Sequence, residues 1–301
     1  MATSECQHRH RDDKLSFISE LPTATQRGDP ELLQWKRFWA PHGSRLLPSQ
    51  SYNFHKSNQI SSIQVDDPVL TQNPQIPHQL VPFLEVERVS VDPKFDIDKM
   101  TSPRDFNTHL SYSLLPENIM NSGCKMVYIT RNPMDTFVSR WYFFYKKCNY
   151  DVPIEESFAN FCQGVKLGGP YFNHVLEYWR VCNEKPGALF LTYEELKKEP
   201  HKKVKRLAEF LECPLNPNEI EQVVWRCSHD RLSNLAVNKG PSKVHWTGWD
   251  FSSFFRKCII GDSMNYLTPD MVEQLRELAR QKWERYGLKF QSVDEILDSS
   301  H

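Results

Sequence analysis

The apolar positions along this chain change period several times, and each change marks an element. The clearest case is the stretch from Lys125 to Lys147, KMVYITRNPMDTFVSRWYFFYKK. Its unbroken apolar run Met126-Val127-Tyr128-Ile129, bounded by polar residues, predicts a strand buried on both faces of a parallel sheet. Asn132-Pro133 then predicts a helix start, with Asn as N-cap, Pro at the first helical position and Asp135 in the first turn. Phe137, Val138, Trp141, Tyr142 and Tyr145 recur at helical spacing and give that helix an apolar face. Arg131 therefore falls at the carboxyl end of a strand, where open α/β sheets bind ligands. Ser139 lies two turns into the helix that leaves the same point.

Elsewhere the pattern is similar but weaker. Residues 1–30 are polar and aperiodic and predict a disordered tail. Residues 31–301 show no linker and predict a single domain. Ser102–Pro116 predicts a short extended segment ending near His109. Phe158, Phe161, Cys162 and Val165 mark one helix. Gly168-Gly169-Pro170 breaks it, and Phe172, Val175, Leu176 and Trp179 mark the next. Ala188–Leu191 reads as a second buried strand ending at Tyr193. Pro200 opens a helix with Val204, Leu207, Ala208 and Leu211 inward and a basic run (Lys202, Lys203, Lys205, Arg206) on its solvated face. Cys227–Lys257 reads as loop, and Thr268-Pro269 caps a final helix through Met271, Leu275, Leu278 and Ala279 to Gly287. Strands alternating with helices predict a three-layer α/β domain, a parallel sheet flanked by helices.

Composition narrows the class. With 301 residues, 39% hydrophobic and 25% charged, the chain suits one large globular domain. A net charge of −1 gives no electrostatic footprint for nucleic acid or an anionic membrane. The eight cysteines are scattered without metal-type or redox-type pairs, which fits reduced thiols in the cytosol and predicts no metal. No apolar run approaches the ~20 residues of a membrane span.

The chemistry concentrates at the first strand–helix junction. A guanidinium, a hydroxyl and a helix N-terminus near one another suit a phosphate group. On these residues alone, an ordinary strand–turn–helix with a surface arginine reads equally well.

RNPMDTFVS resembles the RNPKDxxVS signature of cytosolic sulfotransferases, in which the Arg and Ser hold the 3′-phosphate of the sulfuryl donor, 3′-phosphoadenosine 5′-phosphosulfate (PAPS). ELLQWKRFWAP and VLTQNPQIPHQLVPFLE are similar to segments of plant members of that family, and the resemblance spans roughly Glu31–Phe290. It implies transfer of a sulfuryl group from PAPS, as co-substrate, to the hydroxyl of a small acceptor such as a flavonoid, steroid or phenol. It implies His109, in THL, as the base that takes the acceptor proton, a task imidazole suits near neutral pH. It places Arg131, Ser139, Arg256 and Lys257 on the 3′-phosphate. Tyr193, in LTYEEL, falls against the nucleotide base, and Ser228 on a phosphate or ribose.

The chain also departs from the family. FFRKCIIGDSMN is similar to the family's FxRKGxxGDWKN, but Cys258 stands where a glycine aims its N–H at phosphate. Ser263 and Met264 replace a Trp and a Lys, which is expected to weaken packing under that loop, and His229 replaces a stacking Phe. The dimer motif KxxxTVxxxE survives only as Met264, Thr268-Pro269 and Glu273, leaving dimerisation open. The largest departure is a hole. No glycine occurs between Gly43 and Gly123, and no PKSGTTW-type run is present, although a phosphate-cradling loop needs close backbone approach. The expected fold is thus P-loop nucleotide-kinase-like with its first strand–loop–helix missing, which should leave neighbouring strands unpaired and apolar surface exposed. A P-loop kinase or GTPase is excluded, since G-x-x-x-x-G-K-[ST] is absent. Two readings follow: a sulfotransferase with His109 as base, or a non-catalytic relative that binds adenosine 3′,5′-bisphosphate.

Overall fold

The computed structural model describes residues 44–47, 84, 106–121, 123–147, 152–165, 169–240 and 250–289. The N-terminal tail, the Glu31–Pro41 segment and nearly all of Val69–Glu85 lie outside them.

Four strands form one sheet in the order β2-β1-β3-β4. They are β1 (Ser44–Leu47), β2 (Phe106–Thr108), β3 (Lys125–Thr130) and β4 (Ala188–Thr192). β3 and β4 are parallel, with Met126 opposite Ala188 and Thr130 opposite Thr192. β1 is antiparallel to both neighbours, Ser44 facing Thr108 on one side and Tyr128 on the other. β2, β3 and β4 therefore all run the same way, and β1 alone runs against them. The helices are α1 (Glu117–Asn121), α2 (Pro133–Trp141), α3 (Ile154–Cys162), α4 (Tyr171–Glu184), α5 (Tyr193–Lys198) and α6 (Pro200–Phe210). α7 (Pro217–Arg226), α8 (His229–Asn234), α9 (Ala236–Lys239) and α10 (Pro269–Trp283) follow.

The period-two alternation of β3 divides its side chains between two helical layers. On one face Tyr128, wholly buried, packs with Tyr171, Phe172, Val175 and Tyr178 of α4 and with Leu275 and Trp283 of α10. On the other, Val127 joins Leu189 and Leu191 beneath Leu207, Phe210 and Leu211. Ile129, next on that second face, stays 36% exposed in mid-sheet. Among the described residues, Leu207, Phe210 and Leu211 pack over Val127 on that face but not over Ile129. The expected loss of pairing is corrected: β1 occupies the space between β2 and β3 and satisfies both edges.

Several local expectations hold. Asn132 caps α2, its side chain accepting the Asp135 N–H at 2.8 Å, and Pro133 occupies the first turn. The Thr268 side chain caps α10 at Met271 N–H. Others need correction. Val165 lies beyond α3 and is 59% exposed, since the chain turns out at Gln163-Gly164. Lys203 does not belong to a solvated basic face: it is 7% exposed and its ammonium pairs with Glu195. Within Cys227–Lys257, read as loop, the chain forms the short helices α8 and α9. α7 was overlooked, although Asn216-Pro217 with Glu219 repeats the Asn132-Pro133-Asp135 start signal; here a full capping box forms, with Glu219 reaching back to the Asn216 N–H at 2.8 Å.

Candidate functional site

The carboxyl ends of the three co-directional strands place chemistry on one edge of the sheet, as open α/β folds do. His109 follows β2, Arg131 follows β3 and Tyr193 follows β4.

Arg131 is the centre of the best-connected group. Its Nη2 donates to Asp135 Oδ2 at 2.9 Å and to the Ile259 carbonyl at 2.6 Å, and its guanidinium lies over the Tyr193 ring, 4.5 Å from the centroid. Its Nε is buried with no hydrogen-bond partner. Asp135, 1% exposed, also accepts from the N–H groups of Gly261 and Ser263, each at 2.9 Å, and from Asn132 Nδ2 at 3.1 Å. Burial pushes the Asp135 carboxyl up, but Arg131 and the two loop N–H groups outweigh it and hold its pKa below the ordinary value. One carboxylate thus welds the start of α2 to the loop 126–128 residues downstream.

That loop carries the remaining cations. Arg256 and Lys257 both pair with Asp262, which is 1% exposed; Lys257 Nζ lies 2.8 Å from Oδ1. Burial again opposes ionisation of Asp262, and the two cations together with Asn265 prevail, leaving its pKa depressed. Arg256 and Lys257 further lie over the rings of Tyr142 and Tyr266, at 5.2 and 5.7 Å. Cys258 adopts φ +54°, in the left-handed region where a β-carbon is strained. The backbone keeps a glycine-type conformation without a glycine. The Tyr193 hydroxyl donates to Cys258 Sγ at 3.1 Å, and burial, followed by Cys258, raises the phenol's pKa.

Ser263 is fully buried and held through its N–H by Asp135, while Met264 is 47% exposed. The loop is thus anchored by a carboxylate where the sequence pointed to weakened packing. Ser139 lies half-buried on α2. Ser228 caps α8 at the Arg231 N–H, 3.3 Å, and the ring of the adjacent His229 sits 6.0 Å from that of Phe255, which places this corner beside Arg256. Arg131, Tyr193 and Cys258 are in direct contact, and Ile259 joins Arg256 and Lys257 to them. His109 lies apart from that group, at the end of β2, with β1 between β2 and β3.

Glu194 was not singled out from the sequence, yet it is central. It is 5% exposed, and its Oε1 accepts from the N–H and Nδ2 of Asn132 at 2.9 and 2.8 Å while Oε2 is unpartnered. Burial raises its pKa against the pull of Asn132. The Tyr171 hydroxyl donates to the Arg131 carbonyl, so both backbone groups flanking the junction are pinned.

His109 is 6% exposed and is held differently. Its carbonyl lies 3.3 Å from His174 Nε2, whose Nδ1 lies 2.9 Å from the Tyr128 hydroxyl. A carbonyl only accepts, so His174 Nε2 bears the proton, and in a neutral ring Nδ1 accepts from Tyr128. Tyr178 donates to the next carbonyl, Leu110, at 2.9 Å and stacks on Tyr128 at 4.3 Å. His174 and Tyr178 are one helical turn apart on α4. Sequence reading missed both because their partners lie 65 and 68 residues away.

A loop carrying cations is closed over a strand–helix junction, with a histidine on the same sheet edge. The chain belongs to the sulfotransferase domain family, whose model matches residues 53–287. It is 43% identical over 230 residues to cytosolic sulfotransferase 12 of Arabidopsis thaliana, covering 75% of this chain and 69% of that protein. Among solved structures it is similar to mouse sulfotransferase SULT7A1 complexed with PAP, with TM-score 0.58 and 28% identity over 68% of this chain and 73% of that one. It is also similar to retinol dehydratase in complex with androsterone and the inactive cofactor PAP, with TM-score 0.52 and 26% identity over 61% and 54% of the two chains. Among the described residues no helix is long and apolar enough to cross a membrane.

Proposed function

We propose that this protein's site is built for sulfuryl transfer from PAPS to a hydroxylated small molecule, in the cytosol, as for its relative cytosolic sulfotransferase 12. Arg131, Ser139, Arg256 and Lys257 receive the donor's 3′-phosphate, Tyr193 and Ser228 flank its nucleoside, and His109 takes the acceptor's proton. The observation that carries this reading is shared direction. β2 and β3 both deliver their carboxyl ends, hence His109 and Arg131, to one edge of the sheet. One intervening strand separates them, roughly 10 Å at ~4.8 Å per strand.

The donor's 3′ end fits the residues present: Arg131 stands at the junction, Arg256 and Lys257 are on the loop fastened to it, and the buried Arg131 Nε has no partner. At the 5′ end, transfer needs charge stabilisation on the leaving phosphate, which in this family comes from the loop the sequence lacks. Losing one such pre-placed donor costs ~3–4 kcal/mol in the transition state. Turnover of the chain as it stands is therefore expected to be far below that of a chain carrying a relative's strand–loop–helix between residues 58 and 67.

The second reading, a relative that binds adenosine 3′,5′-bisphosphate without transferring, is favoured by the reversed direction of β1. Labelled-sulfate transfer to a panel of phenols, flavonols and steroids separates the two. The first reading requires turnover in the block-restored chain. Equal turnover with and without the block would show that residues 44–68 already hold a donor site. Absence of turnover in both leaves the binding-only reading. Arg131→Ala should weaken bisphosphate binding by about 1.5–3 kcal/mol, the scale of charged hydrogen bonds; unchanged affinity by calorimetry removes the 3′-phosphate assignment.

A further inference from the structure

We infer that an anion binding at the β3–α2 junction brings a proton with it, and that the Glu194 carboxyl is the group that takes this proton. The inference rests on the nucleotide reading above and adds to it a coupling between ligand and proton.

Charge counting carries the argument. Among the described residues tied into the junction, the positive side chains are Arg131, Arg256 and Lys257. Against them stand three buried carboxyls, Asp135, Asp262 and Glu194. With all of these ionised the cluster is neutral and has no positive charge to spare for a phosphate. Asp135 and Asp262 are held in the ionised form by their partners. Asp135 accepts from Arg131 and from the N–H groups of Gly261 and Ser263, and Asp262 accepts from Arg256, Lys257 and Asn265. Glu194 is the exception. Only its Oε1 is engaged, by the N–H and Nδ2 of Asn132, while Oε2 is buried without a partner. A buried carboxylate oxygen with nothing donating to it is the costliest place in the cluster to keep a negative charge.

Glu194 is also linked to the guanidinium that meets the ligand. Asn132 Nδ2 lies 2.8 Å from Glu194 Oε1 and 3.1 Å from Asp135 Oδ2, so one amide serves both carboxyls. Burial favours the neutral form of Glu194, and the charge of Arg131 opposes it. An anion that engages Arg131 weakens that opposition and adds a negative charge of its own, and both changes favour protonation. The other titratable groups around Glu194 are already committed. The Tyr171 hydroxyl, from α4, donates to the Arg131 carbonyl, and the Tyr193 hydroxyl donates to Cys258; burial raises both phenols and keeps them neutral. Glu195, next on α5, is paired with Lys203.

Calorimetry of adenosine 3′,5′-bisphosphate with the full chain, repeated at one pH in buffers of different ionisation enthalpy, counts the protons exchanged. The comparison is wild type against Glu194→Gln, which keeps an acceptor for Asn132 and is neutral at every pH. The free ligand ionises identically in both titrations, so a difference between them belongs to Glu194. Uptake should be greater in wild type by a fraction of a proton up to about one. As pH rises, wild-type affinity should fall relative to the variant by up to about tenfold per unit. Equal proton counts in the two chains overturn the inference while the nucleotide reading stands. Loss of binding in a variant that still melts cooperatively does the same, since the neutral side chain is the form that accompanies the anion. Should the variant fail to fold, carbon-13 spectra of wild type labelled at the glutamate carboxyls decide the matter. One resonance should then move in the direction of a protonated carboxyl when bisphosphate is added at constant pH, and an unchanged spectrum overturns the inference. If wild type does not bind the bisphosphate, the nucleotide reading falls and takes the inference with it.

Discussion

Around Arg131 polar groups from four separate segments meet, whereas one strand further along the same edge the sheet presents the beginning of β1. The two regions differ in how their parts are joined. Asp135 gathers Arg131, Asn132, Gly261 and Ser263, the last of them 128 residues from it in sequence. Glu194 adds β4's successor by gripping Asn132. The neighbouring slot is filled by a single four-residue strand, β1, paired through its backbone to β2 and β3.

The contrast can be broken most forcefully at its catalytic end. In a block-restored chain with measurable transfer, His109→Ala should lower turnover by about 10²–10⁴-fold, the usual worth of general-base catalysis. Wild-type turnover in that variant would remove the base assignment. Asp135→Ala attacks the joined side. It leaves Arg131 buried without its carboxylate and frees two loop N–H groups, at a cost of ~3–5 kcal/mol, and bisphosphate binding should fall with stability. A denaturant midpoint within error of wild type would mean the loop is held by something else.

How much of this was legible beforehand depended on distance along the chain. The β3–α2 junction was readable because its strand, cap and proline are contiguous, and the placement of Arg131 and Ser139 followed. Cys258 could be flagged from the glycine it replaces, and its φ of +54° bears out the conformational demand. Asp135 read only as a first-turn acid, because the N–H groups it satisfies belong to Gly261 and Ser263. The His174 and Tyr178 clamp on the backbone after β2 was invisible for the same reason. β1 was missed differently: Ser44-Arg45-Leu46-Leu47 is too short to show any period, and its partners alone define it as a strand. Lys203 looked like one member of a basic run until Glu195, eight residues before it, buried it.

Two smaller effects sharpen the comparison. Cys258→Gly relieves left-handed strain of about 1 kcal/mol, so its melting temperature should rise by a few degrees; a fall would mean that the Tyr193 contact matters more than the strain. Acid should loosen the loop before the sheet. Asp135 and Asp262 have folded pKa values below their unfolded ones, so their contribution is complete above the ordinary carboxylate range and is lost as pH falls through the folded values. Glu194 acts oppositely: its raised pKa favours the fold when protonated, and that contribution fades as pH climbs through its folded value. Exchange of the Gly261 and Ser263 amides, corrected for the intrinsic chemical rate, should therefore speed up on acidification ahead of the β3 amides. Simultaneous release of both sets would count against a separately anchored loop.

The reversed strand also has a history within each molecule. β1 is synthesised before either neighbour, yet both edges it pairs with belong to residues 106–108 and 125–128. With roughly 80 residues between Leu47 and the end of that pairing, at ~5–20 residues per second, it waits on the order of 4–16 seconds on the ribosome with its backbone unpaired. A four-residue strand is short enough to stay extended and hydrated over that interval without templating other chains. β1 is thus the first strand of the sheet to be made yet cannot be paired on both sides until β3 has been made, so co-translational pulse proteolysis should find the Ser44–Leu47 region protected only after Thr130 has emerged.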